Sequence, residues 1–222
     1  MSGIREYLAI VISLIGFFFV QKKQFVPFII VVFLATMFHN TALAFLLAYP
    51  VYHLKFSLKQ LAFIALLTIV GLLLFDGIAK IFILFFPHYK YYLFGAYSTG
   101  GVRLASFLNF LLVFMTFYSC WLICEKHQLN DQNSIGITNL LYIGACLLLI
   151  SFTFNLLDRV AIYYDIFMVI AIPNIFLKYN RSSEQLFVKA FSVTLLFVIY
   201  FSCVQYFRPE WNHIYPYQFF TR

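Results

Sequence analysis

The chain has 222 residues, of which 64% are hydrophobic, 22% aromatic and only 10% charged, and its net charge is +7. A soluble domain carries about 25% charged residues, so composition excludes an ordinary soluble globule. The sequence also has no run of basic residues, which excludes a nucleic-acid footprint, and no alternating segments of about ten residues such as a membrane β-barrel requires.

The chain is read as all-α: a polytopic transmembrane helix bundle of about seven spans plus a broken or re-entrant segment, forming one integral membrane domain over residues 1–222. Its basic balance fits cytoplasmic loops and anionic lipid. The first expected span, 4–20, opens on Arg5-Glu6 and ends at Gln21-Lys22-Lys23-Gln24. No small-residue cleavage site follows, so it reads as an uncleaved helix with its lysines on the cytoplasmic side. Arg5 and Glu6 read as a snorkelling interfacial pair or, when Arg5 is grouped with Arg159, as part of a diphosphate site.

Residues 25–54 are too many for one perpendicular span and too few for two spans of about 20 residues. His39-Asn40 falls in the middle of this stretch and Pro50 near its end. It is either one tilted helix or two short half-helices meeting at His39-Asn40. Both readings put equal numbers of basic residues on the cytoplasmic side. The hairpin is preferred because it gathers Lys22, Lys23, Lys55, Lys59 and Lys126 into short loops on that side, where the positive-inside rule applies best. His39 is then either a hydrogen-bonded core residue or, at a helix break, a general base that deprotonates a hydroxyl. No second His lies at ligand spacing, so neither a metal nor a cofactor is expected.

Further spans are expected at 58–75, 103–124, 138–156, 158–177 and 186–207. Between them, 76–86 is amphipathic. The chain continues through Pro87-His88-Tyr89-Lys90-Tyr91-Tyr92 to Gly100-Gly101-Val102-Arg103, and these tyrosines suit a membrane interface or sugar stacking. Arg103 opens an apolar helix, either as part of a helix-initiating loop or as an anion contact at the helix N-terminus. Cys120, Cys124, Cys146 and Cys203 lie in apolar stretches and read as small core residues.

The most apolar region of the chain also holds charge: Asn155-Leu156-Leu157-Asp158-Arg159-Val160-Ala161-Ile162-Tyr163-Tyr164-Asp165. A guanidinium at a helix centre costs roughly 2.5–3.5 kcal/mol on insertion scales. Asn155, Arg159 and Tyr163 form one stripe at i, i+4 and i+8, while Asp158 and Asp165, a heptad apart, lie on a neighbouring stripe. One reading is an interhelical ion pair, Arg159 with Glu6 or Asp158 with Arg5. The other is an anion site, because the guanidinium fork matches phosphate oxygens. On the hairpin topology Arg5, Glu6, His39, Asn40, residues 76–103, Asp158, Arg159 and the tail from Arg208 share one extracytoplasmic face.

Sparse residues on these helices carry a resemblance. Gly3-x-Arg5, Ala9, Lys22-Lys23, Ala35 and Phe38-His39-x-x-Ala42-Leu43 are similar to the EpsG family of bacterial membrane proteins, which are related to Wzy-type polysaccharide polymerases. Arg159 followed by Tyr163-Tyr164, and the tail Trp211-Asn212-x-x-x-Pro216-Tyr217, resemble the family's C-terminal part. Glu6 stands where members commonly have Gln. Members also commonly carry further spans ahead of that arginine, so the chain is expected to match the C-terminal part of longer ones.

The resemblance implies a GT-C-like bundle in the bacterial inner membrane. It would join undecaprenyl-pyrophosphate-linked repeat units of a capsule, exopolysaccharide or O-antigen at the extracytoplasmic face. The implied partners are that lipid-linked oligosaccharide, membrane lipid, a flippase and a chain-length regulator, with no nucleic acid. The implied site places Arg5, Arg103 and Arg159 on the diphosphate, with His39, Asp158 and Glu6 as catalytic groups and Tyr163, Tyr164 and Trp211 along a sugar groove. The alternatives are a lipid-linked oligosaccharide flippase, an O-antigen ligase or O-acyltransferase, and an inactive accessory subunit. A flippase should show an inverted repeat and cations at several depths, and the sequence has no such repeat.

Overall fold

Apolar residues at helical spacing build every element of the computed structural model, which describes residues 2–85, 104–128, 130–154, 157–177, 194, 197–198 and 202. In chain order these are α1 (Ser2–Gln21), α2 (Phe25–Thr36), a 3-10 segment (Asn40–Leu47), α3 (Ala48–His53), α4 (Leu58–Leu73), α5 (Phe75–Phe85), α6 (Leu104–Lys126), α7 (Gln132–Ser151), α8 (Asp158–Asp165), α9 (Phe167–Ala171) and a π-helical segment (Ile172–Leu177). No strand occurs among the described residues. Arg103, Asn155, Trp211, Cys203, the 87–102 stretch and most of the expected span at 186–207 lie outside them. Contacts divide the chain into two compact units, Met1–Phe176 and Leu177–Arg222, and the first holds α1 to α9.

Among the described residues, three helices are long and apolar enough to cross a membrane: Ile4–Gln21, Ser106–Lys126 and Gln132–Ser151. A fourth crossing is added if α4 and α5, which bend by 63° at their junction, count as one span. The outer faces suit lipid. Ile4, Leu8, Val11, Ile15 and Phe18 of α1, and Val26, Ile30 and Phe33 of α2 with Met37 at its C-cap, are exposed at helical spacing. Such continuous apolar stripes are not left open to water in a soluble protein.

α1 ends in a tight reversal. Lys23 takes a left-handed φ of 57°, and the Gln24 N–H donates to the Phe19 carbonyl at 2.9 Å, which closes the helix end. α2 then packs back along α1. At 12 residues it rises only about 18 Å, short of the roughly 30 Å hydrocarbon core.

The chain turns at Phe38-His39 and returns through the 3-10 segment and α3 to the end it started from. Three contacts fix that return. The Tyr52 hydroxyl and the Gln21 amide both donate to Asn133 Oδ1, at 3.1 and 2.9 Å. Asn139 donates to the Leu54 carbonyl at 2.8 Å. Residues 25–54 are therefore a hairpin broken at His39-Asn40, and Lys55 lies at the Lys22 end.

The 3-10 segment is held by its period of three. Ala42 and Phe45 eclipse one another, Ala48 follows three residues on at the start of α3, and all three are fully buried. Phe45 stacks on Phe167 with ring planes 8° apart and lies within 6.2 Å of the Tyr164 ring. Pro50 has no N–H to donate, and it falls just past the point where the chain changes from 3-10 to α geometry.

α7 is the most enclosed of the three crossing helices, packing on α3, α4, α6, α8 and α9. It starts at Gln132, ahead of the expected 138, because Asp131 caps it by accepting the Ser134 N–H at 3.0 Å. Its polar first turn is spent on Tyr52 and Gln21. At Gly136 the Tyr52 ring occupies the space that a Cβ would need. The expected span at 158–177 is not continuous: α8 gives way to α9 at Ile166, and Pro173 lies in the π-helical segment.

α4 begins with a capping box. Ser57 accepts the Gln60 N–H at 3.4 Å while Gln60 Oε1 accepts the Ser57 N–H at 2.8 Å. Ser57→Ala is expected to cost about 1 kcal/mol, read as a lowered Tm in detergent. An unchanged Tm would mean that the cap does not support α4.

Candidate functional site

The two reversals of the chain decide which residues meet. α1 runs from Arg5-Glu6 to the lysine end, and Glu6 stands about 22 Å from Gln21 along the axis. α2 climbs a similar height before the break, which brings His39 to the level of Glu6. α8 descends from the same end, antiparallel to α7, with Asp158 and Arg159 in its first turn. Arg5, Glu6, His39, Asp158, Arg159 and Tyr163 therefore gather at one end of the unit, and Lys22, Lys23 and Lys55 lie at the other.

At the centre of this end is a short chain of polar groups. Half-buried His39 places Nδ1 2.5 Å from Thr41 Oγ1, and Thr41 Oγ1 is 3.4 Å from the Tyr163 hydroxyl. Tyr163 is 1% exposed. α1 packs against α8, so Glu6 and Tyr163 lie on neighbouring helices at this end. With Nδ1 engaged by Thr41, Nε2 is the ring nitrogen left for other work. His39 is extended, at φ −154° and ψ 121°, so its ring is set by the break between α2 and the 3-10 segment.

The acids of α8 face α6. Ser106 donates to Asp158 Oδ2 at 2.9 Å, and Asn109 donates to Asp165 Oδ2 at 3.1 Å. The Oδ1 atoms of both carboxyls are buried without a hydrogen-bond partner among the described residues. Asp158 is thus turned toward Ser106 and not toward His39. Tyr164 is fully buried and donates to the Ala44 carbonyl at 2.6 Å, which ties α8 to the 3-10 segment.

Neither Arg5 nor Arg159 forms an ion pair among the described residues. The interhelical pairs considered from sequence, Arg159 with Glu6 and Asp158 with Arg5, do not form there. Asp158 accepts from Ser106 through Oδ2 instead.

Thr41, Ser106 and Asn109 were not singled out by sequence reasoning. Thr41 lies two residues from His39, but its bond to Tyr163 spans 122 positions, and no local pattern encodes that. The heptad spacing of Asp158 and Asp165 did place both on the face that meets α6. Cys120 is buried, and Cys124 and Cys146 are half-buried free thiols. No cluster of metal-ligating side chains occurs among the described residues.

The apolar helices, lipid-facing stripes and polar end define an α-helical integral membrane protein. The sequence matches the EpsG family over residues 1–219, so the chain belongs to the EpsG family, whose members are Wzy-type polymerase-like. That membership makes it a protein of membrane polysaccharide biosynthesis. No curated protein and no solved structure matches the chain.

Proposed function

We propose that this chain acts as a polysaccharide polymerase, a membrane glycosyltransferase that joins undecaprenyl-pyrophosphate-linked repeat units at the extracytoplasmic face of the bacterial inner membrane. The observation that carries this reading is the meeting of His39, Thr41 and Tyr163 at the same end as two arginines that have no acidic partner among the described residues. Glycosyl transfer from a lipid diphosphate needs a base for the acceptor hydroxyl and cations for the leaving group. This end of the protein offers both.

In the proposed step an acceptor sugar hydroxyl attacks the anomeric carbon of the donor sugar. Its proton passes to His39 Nε2 as the new C–O bond forms. The bond from the anomeric carbon to the diphosphate breaks, and the lipid diphosphate leaves with the electron pair. Arg5 and Arg159 take up the added charge, with Arg103 as a further cation. Thr41 is a positioning residue that holds His39 Nδ1, and Tyr163 orients Thr41. Glu6 sets the local field, while Asp158 stays on Ser106. The acceptor's source, the sugars and the partners (a flippase and a chain-length regulator) belong to this proposal.

The test is the glycan made in cells that carry only the variant chain. His39→Ala is expected to lower polymer yield by about 10² or more, the scale of a lost general base, while lipid-linked single units accumulate at the outer face. Thr41→Val is expected to lower it about tenfold, through ring positioning. Full-length polymer from His39→Ala would remove the base from the reading. Accumulation of units at the inner face alone would assign the chain to flipping.

A further inference from the structure

The end opposite the arginines holds a cavity of about 350 Å³, formed by the start of α4, the last turns of α6 and the start of α7. That size falls in the range of small-ligand pockets. The wall built by α6 and the approach to α4 is graded along the helix axes. Lys55, Glu125 and Gln128 stand toward the Lys22 end of their elements, and Leu61, Phe117 and Trp121 stand deeper. α6 reads from Phe117 through Trp121 to Glu125, with Gln128 just past its end, so on this wall the change from apolar to polar follows the depth of a bilayer leaflet. An amphiphile has the same gradient.

The rim is also specific in charge. Lys55 and Glu125 both line the cavity, yet they form no ion pair among the described residues. Both are exposed, so neither is tied down by the fold. Two opposite charges that border a cavity without closing on each other suit a ligand that carries both signs. A phosphate takes the lysine, a primary ammonium takes the carboxylate, and the Gln128 amide bonds the ester oxygens. The half-buried Trp121 indole suits the boundary between headgroup and chain. The deeper apolar residues then meet acyl chain.

We infer that this cavity is a binding site for a single phospholipid with a zwitterionic, primary-ammonium headgroup, separate from the polar end bearing His39. The site concerns the opposite end of the unit and stands whether or not the polymerase reading does.

The chain has two tryptophans, so Trp211→Phe leaves Trp121 as the single indole beside the cavity. This full-length variant, purified in detergent, is titrated with chain-brominated phosphatidylethanolamine, phosphatidylcholine or phosphatidylglycerol, each quenching indole on contact. Phosphatidylethanolamine is expected to quench Trp121 saturably and at least tenfold more tightly than the other two. Adding Lys55→Gln or Glu125→Gln is expected to weaken it about tenfold, while Trp121 emission without lipid stays unchanged. Inorganic phosphate is expected not to displace the lipid. Equal quenching by all three lipids, insensitivity to both substitutions, or displacement by phosphate alone would each overturn the assignment.

Discussion

Arg159→Ala is expected to abolish polymer formation while the protein keeps its thermal stability. A guanidinium in an apolar helix carries a cost of roughly 2.5–3.5 kcal/mol at the membrane centre. Removing one partner of a buried ion pair would cost about 3–5 kcal/mol, because it strands the other charge. No such partner of Arg159 exists among the described residues, and Asp158 keeps its bond to Ser106. The alanine variant should therefore melt within a few degrees of the parent. Loss of a preorganised charge-stabilising donor lowers turnover by about 10²–10³, so polymer should fall to background. Arg159→Lys should retain part of the activity, since it keeps the charge and loses the bidentate fork. The measurements are a detergent melt and a glycan gel on the same preparations. A large fall in Tm would make Arg159 a structural residue, and an undiminished polymer ladder from the alanine variant would remove it from the site.

The contrast between Arg159 and Tyr164 shows what this kind of sequence discloses. Charge inside an apolar helix is visible at once, because the membrane makes it costly. The break at His39-Asn40 is one of two readings of residues 25–54, preferred for the placement of its flanking lysines, and it marks where α2 gives way to the returning 3-10 segment. Residues whose work is tertiary were not visible. The resemblance implies a groove position for Tyr164, yet it is fully buried and donates to the Ala44 carbonyl. Thr41 was passed over because only the fold brings Tyr163 to it. The stripe of Ala42, Phe45 and Ala48 carries a period of three that marks a 3-10 segment, a rare element at eight residues. A search for helix or strand periods misses it. The start of α7 was missed because Gln132 and Asn133 read as loop residues, although they face Tyr52 and Gln21. Hydropathy locates apolar stretches, and it does not tell a polar helical turn that bonds its neighbour from a polar loop.

Gly144→Val is expected to prevent the unit from packing, and the reason lies in how closely α7 meets α8. A Cβ at Gly144 would lie 2.9 Å from Asp165 Oδ1 and 3.1 Å from the Tyr164 Cβ. The first contact is with a carboxyl fixed by Asn109, and the second is with the base of a side chain anchored on Ala44. Alanine already demands a shift of a few tenths of an ångström, and valine adds two methyls to a space that holds none. Overpacking of this kind costs about 1–3 kcal/mol for the smaller change and more for the larger. Because α8 carries Tyr163 on one side and Arg159 one turn away, a displaced α8 separates Thr41 from Tyr163 and moves the guanidinium with it. Gly144→Ala should therefore lower both Tm and polymer yield, and Gly144→Val should yield little folded protein. The specific cause is tested by a second change. Asp165→Ala clears the oxygen that the new Cβ meets, so Gly144→Ala/Asp165→Ala should be more stable than the sum of the two single effects by about 1 kcal/mol, the size of coupling usual for residues in contact. Simple additivity would place the clash elsewhere. A rescued melt without rescued polymer would show that Asp165 holds α8 in register for the site as well as filling the space beside Gly144.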